Sequence, residues 1–270
     1  GSIPTSIGNM TQLLLLYLQS NHLSETIPSS IGNCSNLQEL FLDKNQLEGI
    51  LPPSLNNLND LASFDLVSNR LKGTIPFGSA SASCKNLQFL DLSFNDFSGG
   101  LPSSLGNCSA LSEFAAVNCN LDGNIPLSFG LLTKLSILYL PENHLSGKIP
   151  PEIGNCMSLT GLHLYSNQLE GNIPSELGKL RKLVDLELFS NQLTGEIQLS
   201  IWRIKSLEHL LVYNNSLSGE LPLEMTELRQ LKNILNLGIN QLQGSIPPYF
   251  GSFTTLPRII LQQNNFTVHQ

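Results

Sequence analysis

Cys34, Cys84, Cys108, Cys119 and Cys156 are the first residues to test for chemistry, since thiolates bind zinc, oxidise to bridges or act as nucleophiles. No CxxC pair or His/Cys cluster has zinc-site spacing, and no GxSxG, phosphate loop or HExxH occurs, so no metal, cofactor or catalytic group is expected. Among the histidines, His22 and His144 share an "NHLS" context that reads as a solvated turn, whereas His163 and His209 fall at outward strand positions. Five sequons occur, at Asn9 ("NMT"), Asn33 ("NCS"), Asn107 ("NCS"), Asn214 ("NNS") and Asn265 ("NFT"). They are the candidate glycosylation sites, and secretion is the reading they favour.

Bulk composition sets the limits. The 270 residues are 41% apolar, enough for a real core, and 13% charged, about half the typical globular share. A net charge of −7 argues against nucleic acid or an anionic membrane as partner. Apolar runs such as "LLLLYL" are far too short to span a bilayer, so no direct membrane contact is expected of these residues. No signal peptide is recognisable, and the opening "GSIP" reads as the middle of a unit.

The elements that hold these side chains come from a repeat. The pattern L-x-x-L-x-L-x-x-N-x-L starts at Leu13, Leu16, Leu18, Asn21 and Leu23. Its Asn slot recurs at Asn45, Asn69, Asn95, Cys119, Asn143, Asn167, Asn191, Asn215, Asn240 and Asn264. Most intervals are 24 residues, as between Asn143 and Asn167. Each alternating-leucine stretch predicts a short strand with its leucines inward, and stacked units pair these strands in parallel. The Asn closes the following turn and satisfies buried backbone groups with both ends of its amide. Residues such as Gly147 and Pro150 then set a tight path and a stiff extended flank. Residues 1–270 thus read as one β-rich α/β solenoid of about eleven repeats, with short 3-10 or irregular segments on the convex side.

Departures from the repeat carry their own expectations. Glu25 stands in a glycine slot, Gln198 replaces the proline of Ile-Pro, and the stretch Pro76–Leu87 carries two extra residues expected to bulge outward. In "LKNILNLGINQL" the register works only after a slip of one. That places Leu235, Leu237, Asn240 and Leu242 in core slots and Lys232 at the first position, and we read 231–235 as a repeat-deletion junction. Four cysteines (Cys34, Cys84, Cys108, Cys156) occupy an apolar slot that holds Met10, Leu58 or Leu132 elsewhere, so they are expected to be buried free thiols. A bridge between Cys84 and Cys108, on adjacent coils, is the alternative.

The motif L-x-x-N-x-L-S-G-x-I-P at this period resembles the plant-specific leucine-rich-repeat ectodomains. Stretches such as "LQSNHLSETIPSSIGNC" and "LYSNQLEGNIPSELGKLRKLVDLELFSNQLTGEI" are similar, more narrowly, to receptor kinases for plant elicitor peptides. The resemblance implies a right-handed superhelix and a plasma-membrane immune receptor facing the apoplast. It also implies a secreted peptide on the inner surface and a co-receptor kinase of the somatic embryogenesis receptor kinase type near the C-terminal repeats. The cysteine caps, membrane span and kinase domain it implies are not among these residues, so no enzyme activity is expected here. Val268, where the family has glycine, puts co-receptor docking in doubt.

Specificity must then lie in the variable outward strand positions. These supply the candidate peptide-binding residues Tyr17, Phe41, Asp65, Phe89, Asp91, Tyr139, His163, Tyr165, Asp185, Glu187, Phe189 and Tyr213. The outward acids Glu39, Asp43, Asp65, Asp91, Glu113, Glu142, Asp185 and Glu187 face only Lys44 and Arg258, which predicts a basic peptide. A secreted leucine-rich-repeat inhibitor of a cell-wall-degrading enzyme is the competing reading. It would use the same face.

Overall fold

The computed structural model describes residues 1–77, 84–232, 234–254 and 256–267. Eleven short strands, from Leu15–Tyr17 to Ile259–Ile260, form one parallel sheet in strict chain order. The register is the predicted one: Tyr17 pairs with Phe41, Phe41 with Asp65, Asp65 with Asp91, and so on to Asn236 with Ile260. Between these pairs the inward column, including Leu40, Phe64, Leu138 and Leu210, is fully buried except at the terminal coils, where Leu16 and Ile259 are half-buried, in a core that runs along the solenoid.

The Asn slot works as its chemistry demands. Asn143 Nδ2 donates to Ala116 O of the preceding coil and to Leu140 O and Pro141 O of its own. Its Oδ1 accepts the N–H groups of Cys119 and Leu121, both at 3.0 Å. Cys119, filling that slot once, donates its thiol to Leu92 O at 3.1 Å.

On most coils a proline in extended backbone leads into one 3-10 turn, as Pro150 does before Pro151–Asn155. Where Gln198 replaces the proline, the turn becomes the short α-helix Leu199–Trp202. The buried Trp202 is held there by its Nε1 donating to Ile197 O at 3.0 Å. Between concave strand and proline the sequence reading had only an extended flank. The structure instead forms further parallel sheets there, one of five strands from Asp122–Asn124 to Ser216–Ser218 and one of four from Ser24–Glu25 to Asp96–Phe97. Gly49 and Gly73 sit on these at φ 80° and 79°, and Glu25 adopts the same left-handed conformation at φ 68° without glycine's freedom.

Two expectations are corrected. Cys84 and Cys108 are not free thiols: they form a disulfide with Cα atoms 5.0 Å apart. Identical slots on adjacent coils are one stacking distance apart, which is bridging distance. Cys34 and Cys156 are buried and free, as expected, and Cys119 in the Asn slot is also buried and free. At the slipped repeat, Leu235, Leu237, Asn240 and Leu242 are buried as read, but the first slot is filled by buried Leu231, and Lys232 is exposed. Lys232 N donates to Glu208 O just as Glu208 N donates to Val184 O, so the extra residue follows Lys232. The predicted outward bulge and Val268 lie mostly or wholly outside the described residues.

Candidate functional site

Outward positions on the concave sheet gather into three groups. At the N-terminal end Tyr17 stacks on Phe41 at 5.0 Å and 11°, and its hydroxyl donates to Glu39. Next, Asp65 and Asp91 are direct cross-strand partners. Each carboxylate accepts a backbone N–H two residues on, Asp65 from Val67 at 3.0 Å and Asp91 from Ser93 at 2.9 Å. Burial pushes the Asp65 carboxyl up to about 6, reinforced by the charges of Asp43 and Asp91 and opposed by the Val67 N–H and Lys44. Burial also raises Asp91, against its bonds to Ser93. Phe89, half-buried, lies between Ser63 and Glu113 and joins no aromatic cluster.

Beyond Ala115 and Val117 comes the largest group, an aromatic ladder. Tyr165 stacks on Phe189 at 4.4 Å and Phe189 on Tyr213 at 4.5 Å, all nearly parallel. Tyr139 meets Tyr165 through their hydroxyls at 3.1 Å and contacts the His163 ring edge-on at 4.9 Å. The phenol of Tyr165 is raised by burial first, then by the Tyr139 hydroxyl and the nearby carboxylates. Tyr213 is raised by burial and by Glu187.

Two histidine–carboxylate pairs cross the strands beside the ladder. His209 Nδ1 is hydrogen-bonded to Asp185. His163 Nδ1 is buried and 3.1 Å from Glu187 Oε2, an ion-pair approach that makes no hydrogen bond. The His163 ring is folded over Gly161, where a Cβ would come within 2.8 Å of Nε2. Gly161 was missed in the sequence. Its signal was a missing side chain in a column that elsewhere carries Glu39, Phe89, Ile137 or Asp185.

The structure therefore brings Tyr139, His163, Tyr165, Asp185, Glu187, Phe189 and Tyr213 together, with Asp65 and Asp91 as a separate acidic site. Tyr17 and Phe41 lie further along the same sheet. The five sequon asparagines are all exposed. Asn9, Asn33 and Asn107 end 3-10 turns on the convex side. Asn214 instead sits at the concave edge and donates to Ser190 Oγ at 3.1 Å. Among the described residues no group of His, Cys, Asp and Glu could hold a metal, and no helix is long and apolar enough to cross a membrane.

The Leucine Rich Repeat sequence pattern matches residues 12–34, 36–58, 86–108, 134–156, 158–180 and 206–228. The chain belongs to the leucine-rich-repeat family. No curated protein sequence matches it. Among solved leucine-rich-repeat structures, the PEPR1-AtPEP1 complex is 50% identical over 98% of this chain, with a TM-score of 0.96. The Arabidopsis receptor kinase HAESA, in complex with the peptide hormone IDA and the co-receptor SERK1, is 34% identical over 98%, with a TM-score of 0.82. The chain spans 37% of the first of these and 48% of the second. A plant ice-binding protein shares the fold at 27% identity and a TM-score of 0.74, covering 94% of this chain and 81% of that one. The leucine-rich-repeat scaffold thus serves unlike tasks, and function must be argued from the concave face.

Proposed function

We propose that these repeats are ligand-sensing coils of a plant receptor-kinase ectodomain, displayed on the apoplastic side of the plasma membrane. They take a secreted basic peptide on the concave face in immune signalling. The observation that carries this is the ladder from Tyr139 to Tyr213, in which Tyr165, Phe189 and Tyr213 stack in one register on successive coils and Tyr139 joins edge-on from the neighbouring column, with acids beside them. Cross-strand aromatic pairs do stabilise sheets. Half-exposed rings beside Asp185 and Glu187 also offer the apolar centre and charged rim of a peptide interface.

Size is consistent with an extended ligand. Eleven strands at about 4.8 Å spacing give a sheet roughly 50 Å wide, room for about 15 extended residues. The acids of the concave face would draw in lysine and arginine side chains, and exposed sequons suit an extracellular protein. In the complete receptor, a co-receptor kinase of the SERK type would dock toward the C-terminal coils; the presence of SERK1 in the HAESA complex supports a co-receptor in general.

Calorimetric titration with the AtPEP1 peptide, with a Lys/Arg-to-Glu version of it, and at rising salt tests this reading. We expect binding of the first, none of the second, and weakening with salt over the screening range of about 8–10 Å. Preference for the acidic version would reject it. Tight binding of a polysaccharide hydrolase in place of either peptide would favour the inhibitor reading.

A further inference from the structure

A second charged surface lies away from the concave face. The end of the convex turn and the segment from it to the next strand carry Lys179, Arg181 and Lys182 on one coil, Arg203 and Lys205 on the next, and Arg229 on the third. These are six of the 14 Lys and Arg residues of a chain whose net charge is −7. All six are exposed. Arg181, Lys205 and Arg229 occupy the same slot of consecutive coils, two residues before the first core leucine (Leu183, Leu207, Leu231).

That slot stacks closely. In other coils Asn36 Nδ2 donates to Thr11 O at 3.1 Å and Asn86 Nδ2 to Asn59 O at 3.0 Å, each reaching from one coil to this slot of the coil before. Arg181 N bonds Lys179 O and Arg229 N bonds Glu227 O, so this turn recurs on the two outer coils, whereas Lys205 follows the short α-helix Leu199–Trp202. The shared slot sets the three cations in file at a coil spacing of about 5 Å.

Neutralisation is incomplete. Arg203 is bonded to Glu224 at 3.1 Å and approaches Glu227 at 3.9 Å. Among the described residues Lys179, Arg181, Lys182, Lys205 and Arg229 form no ion pair. A cleft of about 560 Å³ opens beside the file, lined by Arg181, Ser200, Arg203, Lys205 and Glu227. Like charges held in register repel one another, and a polyanion laid along them would relieve that repulsion.

We propose that this file binds a linear anionic polysaccharide, independently of the concave face. The file itself is one slot wide, and the convex turns beside it carry Glu152, Glu176 and Glu224. A flat anionic bilayer or a nucleic-acid duplex would press those acids against its own charges, whereas a single chain follows the file. A single-stranded nucleic acid needs aromatic platforms, and the neutral lining of the cleft is Gly178, Ser200 and Ile204.

The test uses this chain with polygalacturonate, dextran sulfate, neutral dextran, oligo-dT and anionic vesicles at low salt. Polygalacturonate and dextran sulfate separate a carboxylate from a sulfate ligand, and binding of either supports the proposal. The triple variant Arg181→Glu, Lys205→Glu, Arg229→Glu should lose at least about ten-fold in affinity, from three exposed contacts of up to about 1 kcal/mol each. Its slope of log affinity against log salt should be shallower by about 2, from 0.7 per lost contact. The pair Lys72→Glu, Lys148→Glu, on the flank sheets, should change neither. The corresponding triple glutamine variant replaces the glutamate one if melting shows that the latter is unfolded. No binding of either acidic polysaccharide, unchanged affinity in the triple variant, or tighter binding of oligo-dT or vesicles would overturn the proposal.

Discussion

Tyr165 and Phe189 stack face to face with centroids 4.4 Å apart and planes within 7° of parallel, although 24 residues separate them in sequence. The coil spacing of about 4.8 Å lies close to the centroid separation of an offset aromatic stack, so the backbone itself sets the pair. Phe189→Ala removes this stack and the one to Tyr213. We expect peptide affinity to fall about 10–100-fold, as for an interface anchor, and stability by about 1–2 kcal/mol. Calorimetry and chemical denaturation on the same sample separate the two effects. Unchanged affinity with reduced stability would make the ladder purely structural.

Acidity should move stability and ligand binding in opposite directions. Asp65 titrates at about 6 in the fold against an ordinary value of 3.8, chiefly because it is buried. A carboxyl raised by folding contributes stability that is full below 3.8 and is lost as the pH rises through 6. Solvent screening of a half-exposed group holds this to no more than about 1 kcal/mol, or roughly 2–4 °C in Tm. The wild-type Tm should therefore fall between pH 4 and 7 by more than that of Asp65→Asn. Over the same interval affinity for a basic peptide should rise as the carboxylate ionises. An Asp65 carboxyl carbon titrating near 4 by NMR would contradict both expectations.

Thiol chemistry should divide the cysteines three to two. Burial pushes the Cys119 thiol up to about 12 and that of Cys156 to about 11, so neither offers a thiolate at neutral pH. Mass spectrometry after alkylation should find Cys34, Cys119 and Cys156 unmodified until the protein unfolds, and Cys84 linked to Cys108 throughout. Replacing both bridged cysteines by serine should cost about 3 kcal/mol, given their separation of 24 residues. Five reactive thiols in the native protein would be incompatible with this pairing.

Cys119→Asn should stabilise the fold. In the neighbouring coil Asn95 Oδ1 accepts Leu71 N at 3.1 Å and its amide donates to three carbonyls. A thiol offers one weak donor and a poor acceptor. Restoring the amide should add about 1 kcal/mol, read as a shift of the urea midpoint at constant slope. A lower midpoint would mean that the slot around Cys119 has closed too far for an amide.

Terminal coils should open first. Leu16 and Leu18 are only half-buried, whereas Leu40 and Leu42, one coil inward, are fully buried. Hydrogen exchange should show protection rising inward from Leu16 and from Ile259. Uniform protection from end to end would count against this.

Much of this architecture was legible because each core slot recurs and its physics is simple. Leu138, Leu140 and Asn143 needed only alternation and an amide. Gln198 was recognisable as a departure, but the α-helix it permits depends on the packing of Trp202, which no repeat pattern contains. The disulfide was legible only as the alternative, because the Cys84 slot equally suits a buried thiol and adjacent coils permit a bridge without requiring one. On the concave face the columns were readable, since a period of two fixes which residues point outward. Gly161 was not, because its effect is exerted through the His163 ring that folds over it. The basic file escaped for a different reason: Arg181, Lys205 and Arg229 sit on turns, where the strand alternation gives no direction.

The asparagine bonds have a consequence for how such a groove can change in length. Asn143 ties its own coil to Ala116, Cys119 and Leu121 of the one before, and Asn167 does the same to Leu140 and Leu145. Excising a whole coil lets each amide find an identical set of partners one step further back. Excising half a coil strands donors and acceptors inside the core. The reach of the groove is therefore quantised: it can lengthen or shorten only in steps of one strand spacing, and a ligand evolving against it must match that unit.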